Sequence, residues 1–591
     1  MEQKYPLLYK TGRLLLGMAG RVSALVRKTE ALPGKVPEIS VLFVYAVAHL
    51  CMAAVHEPFF DEAEAWQIAR SVTLKTLFFE TTHYEGHPPL WHLILMPLAK
   101  AGAPYELSLT LVSLAFMGAA VFLILRYAPF PRLVRLLLPF TYFLFYQYGV
   151  ISRVYCVLTF VFVLLAMTYR RRNESPGRYT AVLILMCATL AYGLVLAGGL
   201  AIVWLWEIWG EWSRGVSAAA DQSGERKAKG SLCGCIADRR VWWLAVLLAA
   251  ALGVIWMIMP RTDTFATAPA TAETIRNPFV VRLFYLFLVL PADAALTDIY
   301  SDHIILSRVF LMPSALIGGA MVGMLIWGVF LYYGKRKKTT LLLVLPYSLF
   351  AVFSAAVYFS LHHIGIGLLY FGFWCWVTAE SREQREPLAE KSSGRETALR
   401  DGVKTASILL GTLAMGISLF WTGAACKLDF DKEYALGRNE AAFIKEHNLD
   451  QYRVMSGWLI EYDAKGNVSN TDINECSMAV NLAPYFEDNL YFNFNEGRND
   501  CNYITHMRLS EEETQERYEK WRREEPPQVL WMSPDLMTAY DGAVGMRDYV
   551  LVYQGDAEQV WKAGADYLAG SIHVRRDLLE ETGLRPLQEK P

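Results

Sequence analysis

The sequence has 591 residues, a formal net charge of −2 and a mean hydropathy of +0.24. It is 54% apolar and 19% charged, whereas soluble proteins carry roughly 25% charged residues. Residues 427–591 hold 18 basic and 31 acidic side chains, and the first 426 residues hold 38 basic and 27 acidic ones. This uneven division excludes a single soluble domain, a disordered chain and a small disulfide-rich secreted protein. It predicts a polytopic α-helical membrane protein with a water-soluble C-terminal domain.

The N-terminal segment, residues 1–35, is basic and precedes the first long apolar run. It carries seven Lys and Arg side chains, and the apolar run begins near Val36, which is later than in a signal peptide. The pattern of residues 14–25 is typical of an amphipathic helix that lies on a membrane surface. Because basic residues that flank a span stay in the cytoplasm, we expect the N-terminus to be cytoplasmic.

Apolar runs near 20 residues long predict a transmembrane domain over residues 36–425. We identify eleven spans, at approximately residues 38–56, 105–126, 133–150, 154–170, 179–195, 196–211, 241–259, 305–333, 340–358, 361–378 and 405–425. Basic clusters lie between them at residues 126–135, 170–178, 226–240, 335–338 and 382–404. If all these clusters are cytoplasmic, the spans alternate without conflict and residues 426–591 form an extracytoplasmic domain.

Two shorter apolar runs do not fit this pattern. The run at residues 88–100 has only 13 residues, and counting it as a span would place the basic cluster at 126–135 outside. We expect this run, and the similar one at 279–290, to form short interfacial or re-entrant helices packed against protein.

The first external loop, residues 56–104, contains the main candidates for chemistry. Asp61, Glu62 and Glu64 follow directly after the first span. Carboxylates at this position are often solvated flanking residues, and for Glu62 and Glu64 that interpretation is as open as a functional one. Asp61 stands among aromatic residues in the run FFDEAEAW, so we expect partial desolvation and the capacity to act as a general base. In an extended segment, the neighbouring Glu62 would point away from it.

A second polar cluster lies later in the same loop, in the run HYEGHPPLWH. His83, Glu85 and His87 are its candidates for an acceptor or loop site. Such a cluster suits a divalent metal, but its spacing matches no zinc motif, and a His–carboxylate pair is more commonly a structural hydrogen bond. We therefore predict no metal ligands and no certain cofactor, with a divalent metal as the open alternative.

Two further polar groups fall on the same predicted outer face. Arg153 and Tyr155 lie in the turn YGVISRVY between the third and fourth spans, and His362 with His363 lies between the ninth and tenth. Arginine suits phosphate recognition, and charged groups at membrane depth are costly unless they serve a partner. Snorkelling at a helix end is the alternative for each position alone. Together they are candidates for binding a phosphate.

The C-terminal domain mixes helical and strand patterns. Residues 440–447 predict a helix, and Val529–Met532 and residues 549–553 predict strands. About 165 residues suffice for one α/β or α+β domain. The sequence carries no nucleophile motif, phosphate loop or zinc-binding motif there, so we expect a lid or an acceptor-docking domain.

At FDEAEAWQIAR followed by HYEGHPPLWHLIL, and at the later YGVISRVY, the sequence resembles the GT-C glycosyltransferases. It is most similar to the bacterial branch related to protein O-mannosyltransferases and the aminoarabinose transferase of lipid A. Members of that superfamily move a sugar from a polyprenyl-phosphate carrier to an acceptor on the outer membrane face. The resemblance implies that Asp61 is the catalytic carboxylate and that Glu62 is its acidic partner. The other candidates rest on the predicted topology more than on motifs.

The function predicted is therefore an integral-membrane glycosyltransferase of the cell membrane, which transfers a hexosyl or pentosyl group to a protein, lipid or envelope glycan. The first-loop carboxylate takes the proton of the acceptor hydroxyl, and cationic side chains hold the departing phosphate. Direct attack inverts the anomeric centre. The expected partners are a polyprenyl-phosphate-linked sugar donor, membrane lipid and an unidentified acceptor, and no nucleic acid.

Two other functions compete with this prediction. A transporter or flippase for a lipid-linked envelope precursor would bind the same head group without chemistry, and an assembly protein would only present the acidic domain. A transporter is expected to carry ionisable groups in the middle of several spans. The centres of most spans here are apolar, which favours the transferase.

Overall fold

The protein consists of a helical part, residues 6–431, and a C-terminal domain built on a small sheet. A computed structural model describes residues 6–223, 238–261, 278–296, 313–381, 394–456, 459–462, 468–472, 479–490, 492–493, 498–499, 527–532, 548–562 and 564–587. The start of the predicted span at 305–333 and most of the predicted basic loops at 226–240 and 382–404 lie outside these residues.

Long helices dominate the helical part. They are α1 (Pro6–Glu30), α2 (Val36–Val55), α3 (Phe60–Ser71), α4 (Leu90–Lys100), α5 (Tyr105–Tyr127), α6 (Tyr155–Tyr169), α7 (Pro176–Cys187), α8 (Ala191–Ser223), α9 (Arg239–Ile258), α10 (Pro313–Lys337), α11 (Thr340–Ala356), α12 (Ile364–Glu380) and α13 (Gly394–Asp431). Shorter α-helical pieces are Leu74–Thr76, Thr82–Glu85, Arg132–Leu137, Phe279–Phe284 and Leu290–Ala295. Pro37 and Pro176 stand in the first turns of α2 and α7, where the missing proline N–H leaves no hydrogen bond unmade.

Six helices of the described residues are long and apolar enough to cross a membrane, namely α2, α5, α8, α9, α10 and α13. The apolar helices α4, α6 and α11 are shorter than the roughly 20 residues that a perpendicular span needs. The prediction of a mostly helical chain with several possible spans is confirmed. The count of eleven spans is not established by these helix lengths and stays a prediction.

The segment predicted as a span at 133–150 is not one continuous α-helix. The α-helix Arg132–Leu137 passes into a 3₁₀ turn at Leu138–Phe140 and then into a π-helical segment at Phe143–Val150, all of whose residues are buried. Pro139 lacks an N–H and its ring disfavours a continued α-helix. Buried irregular backbone therefore leads into the turn before α6, and this turn carries Arg153.

The short apolar run at 88–100 is a helix, as predicted. The preceding helix Thr82–Glu85 ends at Gly86, whose φ of +64° lies in the left-handed region that glycine adopts without strain. α4 then begins at Leu90, directly after two prolines, and packs against α3. In the first loop, α3 and α4 thus form a packed pair of helices, joined by shorter helical pieces.

The C-terminal domain combines helix α14 (Gly437–Glu446) with three sheets. Its strands are β1 (Val454–Ser456), β2 (Leu459–Tyr462), β3 (Val468–Asp472), β4 (Phe492–Asn493), β5 (Arg498–Asn499), β6 (Val529–Met532), β7 (Tyr549–Trp561) and β8 (Gly564–Arg575). The main sheet has the order β1-β6-β8-β7, with β1 parallel to β6 and the other pairs antiparallel. The predicted helix and both predicted strands are present, and β7 is much longer than the pattern at 549–553 indicated.

The C-terminal domain packs directly on the first loop. Arg438 of α14 donates hydrogen bonds from Nε to Glu106 Oε1 at 3.0 Å and from Nη2 to the backbone oxygen of His56 at 3.0 Å. Arg70 of α3 donates from Nη2 to Asn489 Oδ1 at 3.0 Å. The turn of the β7–β8 hairpin extends further and joins the core of the helical part.

Candidate active site

The acidic start of the first loop is helical, so the expectation of an extended segment is wrong. Asp61 and Glu62 lie in the first turn of α3, where the helix dipole favours negative charge. Glu62 Oε2 accepts a hydrogen bond from the backbone N–H of Phe59 at 3.1 Å, which closes that turn. Successive helical residues are turned by about 100°, so Asp61 and Glu64 share a face and Glu62 points elsewhere.

Asp61 forms an ion pair with Arg153. Its Oδ2 lies 2.8 Å from Arg153 Nη1, and the two side chains are 26% and 12% exposed. Among the residues that the structure describes, no other acidic side chain forms an ion pair with this guanidinium. Asp61 is thus partly withdrawn from water, but a cation faces it directly. Because a guanidinium has several N–H donors, Arg153 can hold a second anion beside this carboxylate.

Aromatic rings support the guanidinium. Arg153 Cζ lies 5.1 Å from the centre of the Tyr155 ring, a cation–π distance. Tyr155 in turn stacks on Tyr148, with ring centres 4.7 Å apart and planes at 12°. Tyr148 Oη donates a hydrogen bond to the backbone oxygen of His362 at 2.6 Å. The candidate phosphate-binding residues are therefore in one place, although they come from distant parts of the chain.

The histidine pair lies just before α12 and faces this stack. The ring centres of His362 and Tyr155 are 5.7 Å apart, and those of His362 and His363 are 4.1 Å apart. Ser360 Oγ lies 3.0 Å from His362 Nδ1, and its backbone N–H donates to His363 Nδ1 at 3.0 Å. The hydrogen bond from Ser360 fixes the acceptor nitrogen of His363, so its ring can only donate from Nε2 when neutral.

Glu64 and Glu85 form a buried pair of carboxyl groups behind Asp61. The two groups lie within hydrogen-bonding reach of each other, and Glu85 Oε2 is 3.8 Å from His92 Nε2. Burial, followed by the charge of Glu85, raises the pKa of Glu64 well above its usual value. Burial and the charge of Asp61 raise the pKa of Glu85 to about 7, against the hydrogen bond with Glu64. The pair therefore retains a proton near neutral pH, and the solvated interpretation of Glu64 is wrong.

The two candidate histidines of the loop, His83 and His87, do not lie together. His87 Nδ1 lies 3.1 Å from the backbone oxygen of Gly86, and burial, followed by the charge of Arg153, lowers the pKa of His87. His83 Nδ1 instead lies 2.8 Å from the backbone oxygen of Met259, beyond α9. In the described part of the chain, no three His, Cys, Asp or Glu side chains are grouped as metal ligands.

Glu62 occupies a buried structural position, so its solvated interpretation is also wrong. Its Oε1 accepts a hydrogen bond from the backbone N–H of Ser152 at 2.6 Å, and its Oε2 lies 3.6 Å from His56 Nε2. His56 Nδ1 lies 2.8 Å from Asp429 Oδ2 at the end of α13. Burial alone would lower the pKa of His56, but Asp429 and Glu62 raise it to about 10. Glu62 fixes the backbone beside Arg153.

Two more carboxyl groups are buried where the C-terminal domain meets the loop. Glu57 Oε1 accepts a hydrogen bond from the backbone N–H of Arg438, and Glu440 Oε2 accepts one from Trp531 Nε1 at 2.6 Å. Burial raises the pKa of each carboxyl group to about 8. Both groups are therefore largely protonated at neutral pH.

Several buried charged residues around the site were not predicted from the sequence. Asp429 follows an apolar run as an ordinary flanking charge, and nothing local distinguishes it. Asp293 did carry a signal, because it interrupts an apolar segment and an ionisable group there marks a partner. That partner, Lys562, is 269 residues away.

No protein-family model matches the sequence, and comparison with curated proteins gives no significant similarity. The functional argument therefore depends on the geometry of the site.

We predict that the protein becomes less stable as the pH rises from 7 to 9. The raised pKa values of Glu57, Glu85, Glu440 and His56 mean that the folded protein binds more protons than the unfolded chain in this range. Buried histidines with lowered pKa values, such as His87, are neutral in both states above pH 7. Each fully effective group contributes roughly 1.4 kcal/mol per pH unit.

Thermal unfolding in detergent measures this dependence. Glu57→Gln keeps the acceptor for the Arg438 N–H and should flatten the profile between pH 7 and 8, whereas Asp450→Asn at an exposed site should not. A stability that rises over this range, or a profile unchanged by Glu57→Gln, would contradict the assignment.

Proposed function

We propose that the chain is an integral-membrane glycosyltransferase that moves a sugar from a polyprenyl-phosphate carrier to an acceptor hydroxyl, as the GT-C resemblance implies. One observation carries the proposal. A carboxylate and a guanidinium, Asp61 and Arg153, lie 2.8 Å apart beside stacked tyrosines and the His362–His363 pair. This is the minimum set for a reaction that removes a proton and releases a phosphate.

The proposed topology has eleven spans, a cytoplasmic N-terminus and an extracytoplasmic C-terminal domain in the cell membrane. It is supported by the basic clusters between the apolar runs and by the contacts at one end of the helices. The end of α2 meets the end of α13 through His56 and Asp429, and the turns before α6 and α12 meet through Tyr148 and His362. The site and the C-terminal domain then share the outer side.

The proposed donor has a phosphate anchored beside the bilayer. Arg153 would bind a phosphate oxygen while retaining Asp61, because the guanidinium separates the two negative charges. The histidine pair and Tyr155 border the same position and would orient the remaining oxygens. Cationic and N–H donors aimed at a leaving phosphate stabilise the charge that develops on it.

The proposed transfer is a direct displacement. The acceptor oxygen forms a bond to the anomeric carbon, the bond from that carbon to the phosphate oxygen breaks, and its electron pair leaves with the phosphate. Asp61 takes the hydroxyl proton. The Glu64–Glu85 pair then accepts that proton from Asp61 and releases a proton to water, which restores the Asp61 carboxylate and the starting state of the pair.

The alternative is a transporter or flippase that binds the same lipid-linked head group. It would use Arg153 and the histidine pair for recognition and would need no base. Incubation of the purified protein with a polyprenyl-phosphate sugar and candidate acceptors separates the two functions, because only the transferase releases free polyprenyl phosphate.

We predict that Asp61→Asn inserts and folds normally but loses transfer by about 10²-fold or more, the usual effect of removing a general base. Glu62→Gln should lose less, because Glu62 contacts backbone N–H groups and His56 rather than the open side of the site. Turnover of a radiolabelled lipid-linked sugar measures both variants, with Asp450→Asn as the matched control.

If Asp61→Asn keeps wild-type turnover and Glu85→Gln is inactive, the base is the Glu64–Glu85 pair instead. If all of these variants stay fully active, the first loop is not the catalytic site.

We also predict that the C-terminal domain is outside the cytoplasm. In a variant without native cysteines, Lys427→Cys at the exposed end of α13 should react with a membrane-impermeant maleimide in intact cells. Lys335→Cys, in the basic last turn of α10, should react only after lysis. The opposite pattern would exclude the proposed topology.

A further inference from the structure

The turn of the β7–β8 hairpin carries a buried lysine into the helical part. Lys562 has a φ of +50° and its side chain is fully buried. Its Nζ donates hydrogen bonds to Asp293 Oδ1 at 2.9 Å and to the Asp293 backbone oxygen at 3.0 Å. Asp293 lies on the short helix Leu290–Ala295 and also accepts a hydrogen bond from Tyr285 Oη at 2.6 Å.

This contact lies well inside the helical part. Lys562 Nζ is 4.3 Å from the centre of the Trp421 ring. Trp421 precedes the end of α13 at Asp431 by ten residues, which corresponds to about 15 Å of α-helix. The hairpin therefore passes beyond the domain surface and ends among the helices.

A buried ion pair is a poor source of stability, because removing two charges from water costs about as much as their attraction returns. Its better-attested use is to specify one arrangement over others. The Lys562–Asp293 pair therefore fixes the position of the hairpin tip relative to the neighbouring side chains.

Aromatic contacts lead from the hairpin tip to the candidate active site. The ring centres of Trp561 and Phe143 are 6.1 Å apart, and those of Phe143 and Tyr148 are 5.7 Å apart. Tyr148 stacks on Tyr155 at 4.7 Å, and Arg153 lies over Tyr155 at 5.1 Å.

The hairpin tip also holds the first rings in this series of aromatic contacts. The backbone N–H of Lys562 donates to Tyr142 Oη at 2.9 Å, and the Tyr142 and Trp561 rings meet edge to face at 5.6 Å. On the far side, a Cβ at Gly365 would lie 2.5 Å from Phe143 and 2.4 Å from Tyr148 Oη, so only glycine permits this packing. The rings are therefore confined from both sides.

We propose that Trp561 and Lys562 are positioning residues for the Arg153 site. The C-terminal domain, through its hairpin, holds Phe143 and the tyrosine stack so that the guanidinium faces an anionic lipid head group. This inference rests on the proposed function, because it takes the ligand of Arg153 to be the donor phosphate. It assigns to the C-terminal domain a part in donor binding.

The test is binding of undecaprenyl phosphate to the full-length protein in lipid nanodiscs. Trp561→Ala should bind about tenfold more weakly than wild type, and Trp561→Phe should recover most of the loss because it keeps a ring against Phe143. Tyr567→Ala, on the exposed face of β8, is the matched control and should bind like wild type.

Phe143→Leu breaks the series without changing the hairpin and should also weaken binding. The double variant Trp561→Ala/Phe143→Leu should be no weaker than the weaker single variant, since both changes interrupt one path. Additive losses would overturn the proposal. Should Trp561→Ala fail to fold, Phe143→Leu and the neutral pair Lys562→Met/Asp293→Asn supply the same comparison.

A spectroscopic readout separates positioning from general destabilisation. Fluorotyrosine at position 155, observed by fluorine NMR, should shift in Trp561→Ala and not in Tyr567→Ala. A resonance unchanged in Trp561→Ala would overturn the proposal.

Arg153→Ala distinguishes failure of this inference from failure of the proposed function. If Arg153→Ala binds like wild type, the lipid phosphate is not held by Arg153, and the proposed function and this inference both fail. If Arg153→Ala loses binding while Trp561→Ala and Phe143→Leu bind like wild type, only the positioning role is overturned.

Discussion

The buried carboxylate of Glu62 joins the two segments that carry the candidate site. It accepts hydrogen bonds from the backbone of Phe59, before α3, and of Ser152, in the turn before α6. Those segments supply Asp61 and Arg153, which lie 2.8 Å apart, so Glu62 is one of the side chains that hold the pair together. Protonated His56 compensates the charge of Glu62 and extends the connection to Asp429 on α13. A buried charge is tolerated when it is paired and hydrogen-bonded in this way.

This constraint divides the acidic residues of the first loop by role. Glu62 is turned inward and accepts hydrogen bonds from two backbone donors, whereas Asp61 is open to solvent on one side and meets a cation on the other. Glu64 and Glu85 are buried behind Asp61, and burial raises the pKa of both carboxyl groups. Carboxyl groups with different environments in one site can divide the tasks of base, support and proton acceptor. The proposed chemistry uses each in the role that its surroundings favour.

The sequence predicted the elements that local patterns determine. The long apolar run of α5, Tyr105–Tyr127, was placed to within a residue. The broken segment at 133–150 was missed because apolar composition does not distinguish an α-helix from buried irregular backbone. Glu62 and Glu64 were left open between solvated and functional roles because burial of a carboxylate depends on partners far along the chain. Glu62 meets Ser152 across 90 residues, and Lys562 meets Asp293 across 269.

The most direct measurement of the central claim is an experimental structure of the protein in a lipid nanodisc with a polyprenyl phosphate bound. We expect the phosphate within about 3 Å of the Arg153 guanidinium, the distance of a charge-assisted hydrogen bond. Asp61 should remain beside it, with room for an acceptor hydroxyl next to the carboxylate. A phosphate bound elsewhere, with the Asp61–Arg153 pair closed to the ligand, would contradict the claim that this pair is the centre of the active site.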